Sequence, residues 1–401
     1  MEFPLDYVRG CFSALESPGA VYFRNASEPW VLASVRALRE NGASAADPAE
    51  VLRDTRESLA FFLNSNDAWA EEEIVFAPEV SELARRLSLG LAKGLDPGSE
   101  VVATELDDEW SLAPWLALEE RGIRLKFWPL KRPAAGLDPS RLSELLDERT
   151  GLVVVSKASS AFGTIVELLP IALRVRDQKS SLVVNWSSFL SHGAVDVRFL
   201  RSDFVLASTS SLFGSRLGLL WGRRERMREL RAGTPGIFDG LEVDSKEVDA
   251  LGAVLRYVEE LGLLSQEMQI QPSEDYGRRR HMRRGMQAIR HYERTLTSLA
   301  LRRLAQVPGA TVYGIDDADH SARRTPRLFF RLEGRDPAEV AVALARENVR
   351  VEHGSCGCPR SMKALGLPEN EGAVSAVIAH YNSEAEVERF SEALHEIAVS
   401  S

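Results

Sequence analysis

Helical and strand patterns alternate along the first part of the chain, from about residue 58 to residue 220. Residues 81–94, SELARRLSLGLAKG, carry apolar side chains at helical spacing and run into Gly-Leu-Asp-Pro-Gly, which predicts a helix followed by a stop signal. Short apolar runs, most of them separated by helix-length segments, predict strands at 100–103, 125–128, 152–155, 182–184, 204–207 and 217–221. This alternation predicts an α/β fold in which helices cover both faces of a mostly parallel sheet.

A second α/β unit is predicted in the C-terminal part of the chain. The charged stretch 269–290, with RRRHMRR at 278–284, leads into a long helix that ends near Leu304, and such an arginine run is most often a solvated helix face. Further on, the patterns predict strands at 327–332 and 349–352 and helices at 337–347 and 383–397. We therefore expect an N-terminal segment (1–20) packing on a small domain, a large domain (21–265), and a small C-terminal domain (266–401) that includes the long connecting helix.

Polar residues follow four of the predicted strands. They lie in the segments 104–110, 156–160, 185–188 and 208–211, the last of which opens the Ser/Thr-rich stretch STSSLFGS. Ligands of open, mostly parallel sheets bind at the carboxyl ends of the strands. The sequence thus predicts a ligand site built from these four segments.

Composition and charge narrow the class of protein. The chain has 401 residues, of which 44% are apolar and 27% charged, as expected for a soluble globular protein with more than one core. Its net charge of -10 argues against a duplex-binding protein, because nucleic-acid affinity depends on neutralising phosphates. No apolar run approaches the roughly 18 residues of a membrane span, and the first residues lack the pattern of a secretory signal. We expect a cytoplasmic protein whose partners are small molecules or other proteins, not nucleic acid or a membrane.

The three cysteines, Cys11, Cys356 and Cys358, are too few for a disulfide framework and suit a reducing compartment. The chain contains neither G-x-S-x-G nor G-x-x-x-x-G-K-[ST]. The sequence therefore indicates neither a Ser-His-Asp hydrolase nor a nucleotide-phosphate loop.

Four segments, taken in order, resemble one known protein family. They are LDPGSEVVATELDDEWSLAPW, GLVVVSKASSAFGTIVEL, SLVVNWSSFLSHGAVDVRFLRSDFVLASTSSLFGSRLGLLWGR and HYNSEAEVERFSEAL. Together they resemble the class V aminotransferase family, in its cysteine-desulfurase-like and isopenicillin-epimerase-like branch, over roughly residues 20–400. The resemblance implies a pyridoxal-phosphate (PLP) transferase-like large domain with a mixed, mostly parallel sheet, and a smaller C-terminal α/β domain. It also implies a homodimer with active sites at the subunit interface.

The chain departs from this family at the positions that carry PLP chemistry. The lysine that forms the Schiff base in the family aligns with Ser211, whose hydroxyl cannot form an imine. The acid that pairs with the pyridine nitrogen aligns with Asn185, a neutral amide that cannot stabilise a pyridinium as a carboxylate does. The histidine that stacks on the ring aligns with Asp108, an anion that would repel the cofactor's phosphate.

Four further positions of the family's site differ as well. The resemblance places Ser160 where the family carries an asparagine, and Ser188 where it carries a histidine. It places the segment Glu79-Val80-Ser81 at the family's phosphate-binding segment, and Ser375 at the arginine that holds the substrate carboxylate. We therefore expect no PLP cofactor, and PLP or pyridoxamine phosphate held non-covalently is the alternative. Lys157, the only lysine near a strand end that lines the expected pocket, is a candidate replacement for the missing amine, although solvated or ion-paired lysines are far commoner.

The segment VEHGSCGCPRSMKALGL holds two of the cysteines. Cys356 and Pro359 match the Cys-x-x-Pro spacing of the sulfur-accepting loop in sulfur-transferring relatives. As a nucleophile, Cys356 needs a lowered pKa, which His353 or Arg360 would supply. As a metal site, His353, Cys356 and Cys358 offer three ligands without a convincing fourth. As packing residues, the two thiols fill a loop between domains, and this interpretation is favoured.

Other polar side chains near the strand ends are candidates for the site. Asp108 and Glu109 are candidates for general acid–base catalysis, or they are solvated loop acids. His192 is a catalytic candidate, or it hydrogen-bonds the loop after its strand. A cluster of hydroxyl groups follows the predicted strand at 204–207. It binds an anion or a hydroxylated ligand, or it belongs to a pocket that has lost its function. This cluster consists of Ser208, Thr209, Ser210 and Ser211.

Three functions remain open on the sequence, because a fold hosts many activities and only the site decides among them. The first, which we favour, is an enzyme that keeps the fold and the dimer but acts without PLP on an amino-acid-like or sulfur-containing metabolite in the vacated pocket. The second is a non-catalytic relative that binds a metabolite or a partner protein of a pathway. The third is a PLP-dependent desulfurase, lyase or epimerase.

Overall fold

The computed structural model describes residues 3–13, 19–41, 47–132, 134–265 and 277–400. Parts of the expected N-terminal segment (1–20) and the start of the expected small domain (266–276) lie outside the described residues. Within the described part of the chain, none of the helices combines the length and the apolar composition that a membrane span requires.

The helices and strands follow in chain order. Among the described residues the α-helices are α1 (Leu5–Cys11), α2 (Ala33–Asn41), α3 (Pro48–Phe62), α4 (Ala70–Glu73), α5 (Val80–Ala92), α6 (Glu109–Leu116), α7 (Pro139–Leu145), α8 (Leu168–Asp177), α9 (Val197–Leu200), α10 (Arg224–Gly233), α11 (Ser245–Leu264), α12 (Gly277–Leu304), α13 (Pro337–Arg346), α14 (Pro359–Leu365) and α15 (Glu384–Val399). The strands are β1 (Phe12–Ser13), β2 (Val21–Tyr22), β3 (Val31–Leu32), β4 (Ile74–Ala77), β5 (Glu100–Thr104), β6 (Arg124–Trp128), β7 (Leu130–Lys131), β8 (Gly136–Leu137), β9 (Thr150–Ser156), β10 (Ser181–Asn185), β11 (Phe204–Ser208), β12 (Gly218–Gly222), β13 (Ala310–Tyr313), β14 (Arg327–Leu332), β15 (Val349–Arg350), β16 (Glu352–Gly354) and β17 (Ala373–Val377).

Several helices begin where an acidic residue is followed by proline. Asp47, Asp138 and Asp336 each accept a hydrogen bond from a backbone N–H of the first turn of α3, α7 and α13, and proline occupies the first helical position in all three. The carboxylate satisfies a free N–H, and proline has no N–H to leave unpaired. At α15, Ser383 and Glu386 form a reciprocal capping box. Local sequence therefore sets where these helices start.

The large sheet has seven strands in the order β4-β12-β11-β10-β9-β5-β6. Strand β12 is antiparallel to both of its neighbours, and the pairs from β11 to β6 are parallel. Strands β5, β11 and β12 are almost fully buried, because helices cover both faces of the sheet. The predicted mixed, mostly parallel sheet is confirmed. All six predicted strands are present, and β4 is an additional strand that the sequence analysis did not predict.

The smaller sheet has four antiparallel strands in the order β13-β14-β17-β16. The strand predicted at 349–352 is divided into β15 and β16, and β15 pairs with β2 in parallel. Val21 and Phe23 are buried in the same core as Phe330 and Phe390. Residues 21–23, which the sequence places at the start of the large domain, thus pack on the C-terminal sheet, because their apolar side chains fill its core.

The N-terminal helix α1 contacts both units. Phe12, just after it, packs edge-on against the rings of Phe213 and Tyr257. Arg9 hydrogen-bonds the backbone oxygen of Tyr381 and pairs with Glu386 at 2.9 Å. This segment therefore contacts the large unit through Phe12 and the C-terminal unit through Arg9.

The basic run at the start of α12 lies against the large unit. Arg278 pairs with Glu259 of α11 at 2.9 Å, and Arg279 donates to the side chain of Asn64 at the same distance. Further along, α12 crosses α11 where two glycines meet: a Cβ added at Gly262 would lie 1.8 Å from a backbone oxygen of α12, and one added at Gly285 would lie 2.1 Å from a backbone oxygen of α11. Only glycine permits so close an approach.

Candidate functional site

A cavity of about 210 Å³ lies at the carboxyl ends of the central strands, where the sequence analysis expected a ligand site. Helices α5 and α6 contribute its walls, and Trp115 and Val154 are among its apolar lining residues. Its polar lining residues are Ser81, Asp107, Asp108, Ser111, Asn185, Ser187 and Ser208. The cavity therefore combines carboxylates, one amide and several hydroxyls against apolar walls.

Asn185, the last residue of β10, is held by neutral groups. Its amide Nδ2 donates to Ser111 Oγ at 2.6 Å, and its Oδ1 accepts from the backbone N–H and the hydroxyl of Ser187 at 3.0 and 2.7 Å. The hydroxyl of Ser187 in turn accepts from the backbone N–H of Ser208 at 2.9 Å. Ser188, the predicted pocket residue beside it, is half-buried and does not line the cavity, since Ser187 takes that place.

Asp108 caps helix α6 and lines the cavity. Its carboxylate accepts from the backbone N–H of Ser111 at 2.8 Å and from the hydroxyl of Ser160 at 3.2 Å. A carboxylate is favourable at this helix start because the free N–H groups and the helix dipole are both positive there. Asp108 therefore has a structural role in addition to any role toward a ligand.

The neighbouring carboxyl, Asp107, is a cavity residue that the sequence analysis did not single out. It is 2% exposed and accepts hydrogen bonds from the hydroxyl of Thr104 at 2.6 Å and from the backbone N–H of Ser156 at 2.8 Å. Burial outweighs these hydrogen bonds and raises the pKa of Asp107 to about 6. This side chain is thus able to take up or release a proton near neutral pH. The sign of it in the sequence is its place within the segment 104–110, one of the four segments predicted to form the ligand site.

The hydroxyl cluster after β11 is only partly in the cavity. Ser208 lines it and shares a hydrogen bond of 2.9 Å with Ser210. Ser211 donates to the backbone oxygen of Ser187 at 3.2 Å, and Thr209 is buried, with its hydroxyl 2.9 Å from that of Ser215. Of the four predicted hydroxyls, Ser208 is therefore the one that the structure brings to the cavity wall.

Ser81 lines the cavity from the first turn of α5. Within the described residues, Glu79, just before this helix, makes no side-chain capping hydrogen bond. A Cβ added at Gly218 would lie 2.4 Å from the backbone carbon of Glu79, so β12 packs directly against the start of α5. The glycine allows helix and sheet to close this side of the cavity.

The loop of the two cysteines lies beside Asp108. Cys358 Sγ is 3.2 Å from the hydroxyl of Ser160, which itself donates to Asp108. Burial raises the pKa of the Cys358 thiol to about 12. Gly357, one residue earlier, accepts a hydrogen bond from the backbone N–H of Glu109 at 2.9 Å. The loop is thus fastened to the first turn of α6.

Cys356 is contacted by an arginine from another strand. Arg327 of β14 directs Nη1 to Cys356 Sγ at 3.6 Å and to Ser375 Oγ at 3.0 Å. Arg327 acts to lower the pKa of the Cys356 thiol, but burial dominates and the pKa is raised. The sequence gives no sign of Arg327, because no local pattern places the first residue of β14, which pairs with Val377, diagonally across from Ser375 of β17 and beside this loop.

The cations that the sequence analysis proposed for Cys356 lie elsewhere. His353 is an exposed residue of β16, and Arg360 forms an ion pair of 2.9 Å with Glu109. This ion pair also explains why Glu109 does not line the cavity. Among the described residues, no group of three or more His, Cys, Asp or Glu is arranged to hold a metal ion, so His353, Cys356 and Cys358 do not form a metal cluster there.

His192 and Lys157 both lie away from the cavity lining. His192 Nδ1 is 2.9 Å from the buried carboxylate of Glu293 on α12. Lys157 Nζ donates to the backbone oxygen of Val166 at 2.8 Å, and burial lowers its pKa to about 8. The ammonium also lies 5.4 Å from the ring centre of Phe189. These contacts direct Lys157 into the core.

Comparison with known proteins agrees with this architecture. The family model described as aminotransferase class V matches residues 31–270 and 279–390. The chain belongs to the class V aminotransferase family. A cysteine desulfurase of Serratia proteamaculans (strain 568) is 27% identical over 376 residues, covering 88% of this chain and 84% of that protein.

Solved structures share the same fold. The cysteine desulfurase from Thermococcus onnurineus NA1, in its apo form, has a TM-score of 0.82 at 22% identity and covers 99% of this chain and 98% of its own. The cysteine desulfurase CsdA from Escherichia coli has a TM-score of 0.79 at 19% identity with the same coverage. At these identities the similarity shows the fold, and the chemistry depends on the residues of the cavity.

Proposed function

We propose that this class V aminotransferase relative is an enzyme that works without PLP and acts on a small amino-acid-like or sulfur-containing metabolite in the 210 Å³ cavity. The observation that carries the proposal is the lining of that cavity. Among the described residues, those that line it include two carboxyls, Asp107 and Asp108, but no lysine.

The residues present do not fit a PLP Schiff base. An imine needs an amine, and the hydroxyl of Ser211 is engaged with a backbone oxygen, while Lys157 is directed to Val166. A pyridinium needs an anionic partner, whereas Asn185 offers an amide that already hydrogen-bonds Ser111. These contacts support a PLP-independent activity.

Proton transfer is the chemistry that the cavity supports best. Asp107 has a pKa of about 6, so at neutral pH it is mostly ionised and still close to its midpoint, as a general base or acid requires. Asp108 lies next to it, and Ser111, Ser187 and Ser208 offer hydroxyls that would orient a polar ligand. The apolar walls exclude water and strengthen these interactions.

The size of the cavity restricts the ligand. Its volume of about 210 Å³ is below the range of about 300–1,000 Å³ that is usual for drug-sized ligands. Arg327, for which no ion pair is formed among the described residues, contacts the cysteine loop beside the cavity and would attract a carboxylate. A small metabolite with a carboxylate, such as an amino acid or a thiol acid, meets both conditions.

Two measurements test this proposal. After incubation with PLP and reduction with borohydride, peptide mass spectrometry should find no lysine that carries PLP in stoichiometric amount. Partial modification of exposed lysines is expected and is not evidence of a cofactor site. A stoichiometric adduct at one lysine would refute the proposal. A thermal-shift screen of amino acids and small thiols should then identify ligands. With such a ligand, Asp107→Asn should lower turnover by about 100-fold or more while binding changes little.

A non-catalytic binding protein is the second candidate function, and the structure offers one observation in its favour. The polar groups of the cavity already hydrogen-bond one another, as in the pairs Asn185–Ser111 and Asp108–Ser160. If ligands bind but none is turned over, and Asp107→Asn only changes affinity, this second function is the correct one.

We also propose that the protein is a homodimer in which a second copy covers the mouth of the cavity. Trp110 lines the cavity and is 82% exposed, and tryptophan is enriched at protein interfaces. Sedimentation should give a dimer, and Trp110→Glu should shift the protein toward monomer. A wild-type monomer at micromolar concentration would contradict this.

A further inference from the structure

A second cavity, of about 520 Å³, opens at the opposite end of the large sheet. Trp221, near the end of the antiparallel strand β12, lines it. Because Gly222 pairs with Phe204, the first residue of β11, this end of β12 lies at the amino ends of the parallel strands. The second cavity is therefore separated from the first by the length of the sheet.

Five arginines from three segments line this second cavity. Arg176 comes from the end of α8, Arg198 from α9, Arg201 from the residue after α9, and Arg223 and Arg224 from the start of α10. Two acidic residues, Glu73 and Glu225, also line it. The cavity is therefore locally positive, although the net charge of the chain is -10.

Two of the five arginines are neutralised by nearby carboxylates. Arg224 pairs with Glu72 at 2.7 Å and stacks on the ring of Trp69 at 4.4 Å, and Arg223 pairs with Asp203 at 3.4 Å. These contacts hold the wall of the cavity in place.

The other three arginines leave positive charge at the cavity. Within the described part of the chain, neither Arg176 nor Arg198 nor Arg201 forms an ion pair; Arg198 donates to the backbone oxygen of Ser65 at 3.1 Å. Of the two acids that line the cavity, Glu73 is buried and accepts a hydrogen bond from the indole N–H of Trp221 at 3.0 Å, and Glu225 is exposed. Burial raises the pKa of Glu73, and its hydrogen bonds and the charge of Arg198 only partly offset this.

The backbone at Arg201 is held in an unusual conformation. Its φ is 53°, in the left-handed region that non-glycine residues seldom adopt. The backbone oxygen of Arg201 accepts from Arg223 at 2.9 Å, so one lining arginine fixes the position of another. This left-handed residue ends helix α9 and sets the direction in which the chain leaves it.

We propose that this arginine cavity is a second ligand site that binds a small polyanion through its phosphate or pyrophosphate group. Guanidinium groups match phosphate oxygens in bidentate geometry, and three of them converge here without carboxylate partners in the described structure. The volume lies within the range of about 300–1,000 Å³ for small-molecule sites, and the concave shape favours a small molecule over an extended acidic peptide. This site is independent of the function proposed for the first cavity.

Calorimetric titration with inorganic pyrophosphate tests the proposal on the full-length protein. Wild type should bind saturably at one site, more weakly at high salt. The double variant Arg198→Gln/Arg201→Gln should weaken pyrophosphate binding at least tenfold. Arg176→Gln changes an exposed helix end and should weaken binding several-fold. This single variant tests the proposal if the double variant does not fold. The matched control, Arg121→Gln/Arg346→Gln, removes the same charge from exposed positions elsewhere and should bind as wild type does.

Three outcomes would overturn the proposal. They are the absence of saturable binding to wild type, equal weakening in the control, and binding of an acidic peptide in the absence of pyrophosphate binding. None of them bears on the first cavity, because the titration is done without any ligand of that site.

Discussion

The side-chain amide of Asn185 donates a hydrogen bond of 2.6 Å to the hydroxyl of Ser111, joining the end of β10 to helix α6 across the cavity wall. The same amide accepts two hydrogen bonds from Ser187. Position 185 is therefore adapted to a neutral side chain, in a cavity that already contains Asp107 and Asp108.

Asn185→Asp should destabilise the protein at neutral pH. A third carboxylate in a small cavity is repelled by its neighbours and poorly solvated, so we expect a loss of about 1–3 kcal/mol in the free energy of unfolding at pH 8. The loss should shrink at pH 5, because burial and the neighbouring carboxylates raise the pKa of the new carboxyl and more of it is protonated there. Urea unfolding at both pH values measures this.

The control for this substitution is Asn66→Asp. Asn66 caps a short 3-10 helix at Asp67–Trp69 through the backbone N–H of Ala68, and aspartate caps helices equally well. Its stability should not fall below that of wild type, because the new carboxylate keeps the cap and lies among the arginines that line the second cavity. If Asn185→Asp loses the same free energy of unfolding relative to wild type at pH 5 as at pH 8, position 185 accepts a charge.

The pKa of Asp107 predicts a pH-dependent contribution to stability. Its folded-state pKa of about 6 lies above the ordinary value of 3.8, so the folded state binds the proton more tightly than the unfolded state. Relative to Asp107→Asn, wild type should be most stable below about pH 4 and should lose stability, on the order of 2–3 kcal/mol, as the pH rises to about 6. Above that pH the difference should be constant.

Asp138→Asn provides a control of opposite sign. Hydrogen bonds from Ser140 lower the pKa of Asp138, so wild type should gain stability over this variant as the pH rises through the acidic range. Urea unfolding of the three proteins between pH 3 and pH 8 measures both slopes. If Asp107→Asn and Asp138→Asn give slopes of the same sign, the burial of Asp107 is not what governs its titration.

Arg327 should govern the ionisation of Cys356. Burial raises the pKa of the thiol and the guanidinium partly offsets this, so removing the guanidinium in Arg327→Met should raise the pKa further. In a Cys11→Ser/Cys358→Ala background, the pH profile of iodoacetamide alkylation should shift to higher pH in Arg327→Met. Arg327→Lys should shift it less, because a positive charge is retained. An unchanged midpoint in Arg327→Met would mean that the 3.6 Å contact has no electrostatic effect.

Gly285→Ala should destabilise the crossing of α11 and α12. A Cβ at this position would lie 2.1 Å from the backbone oxygen of Val258, so the two helices would have to separate, at a cost of about 1–3 kcal/mol. Gly233→Ala, at the end of α10 with nothing within 4 Å of the added Cβ, is the matched control and should be neutral. Thermal unfolding of both variants tests this, and equal midpoints would show that the helices have room at Gly285.

The main architecture was predictable because the signals that specify it are local. Strands buried on both faces are continuous apolar runs, so 152–155 and 204–207 were recognisable without any partner. Strand β4 was missed because its four apolar residues directly follow a short helix, where periodicity does not separate strand from helix.

The site was predictable only as a set of segments. Asp108, Asn185, Ser208 and Ser81 line the cavity because they lie at strand or helix ends that the topology brings to one edge. Glu109 and His192 were drawn instead to Arg360 and Glu293, residues far away in the sequence.

The sequence by itself determined the α/β fold, the family, the edge of the sheet where the cavity forms, and the presence of serine at position 211. Tertiary structure alone decided that Asp107 enters the cavity beside Asp108, and that Arg327 rather than His353 faces Cys356. The physical reason is that periodicity and turn chemistry act over a few residues, whereas the burial and the charge partner of a side chain depend on packing between distant segments.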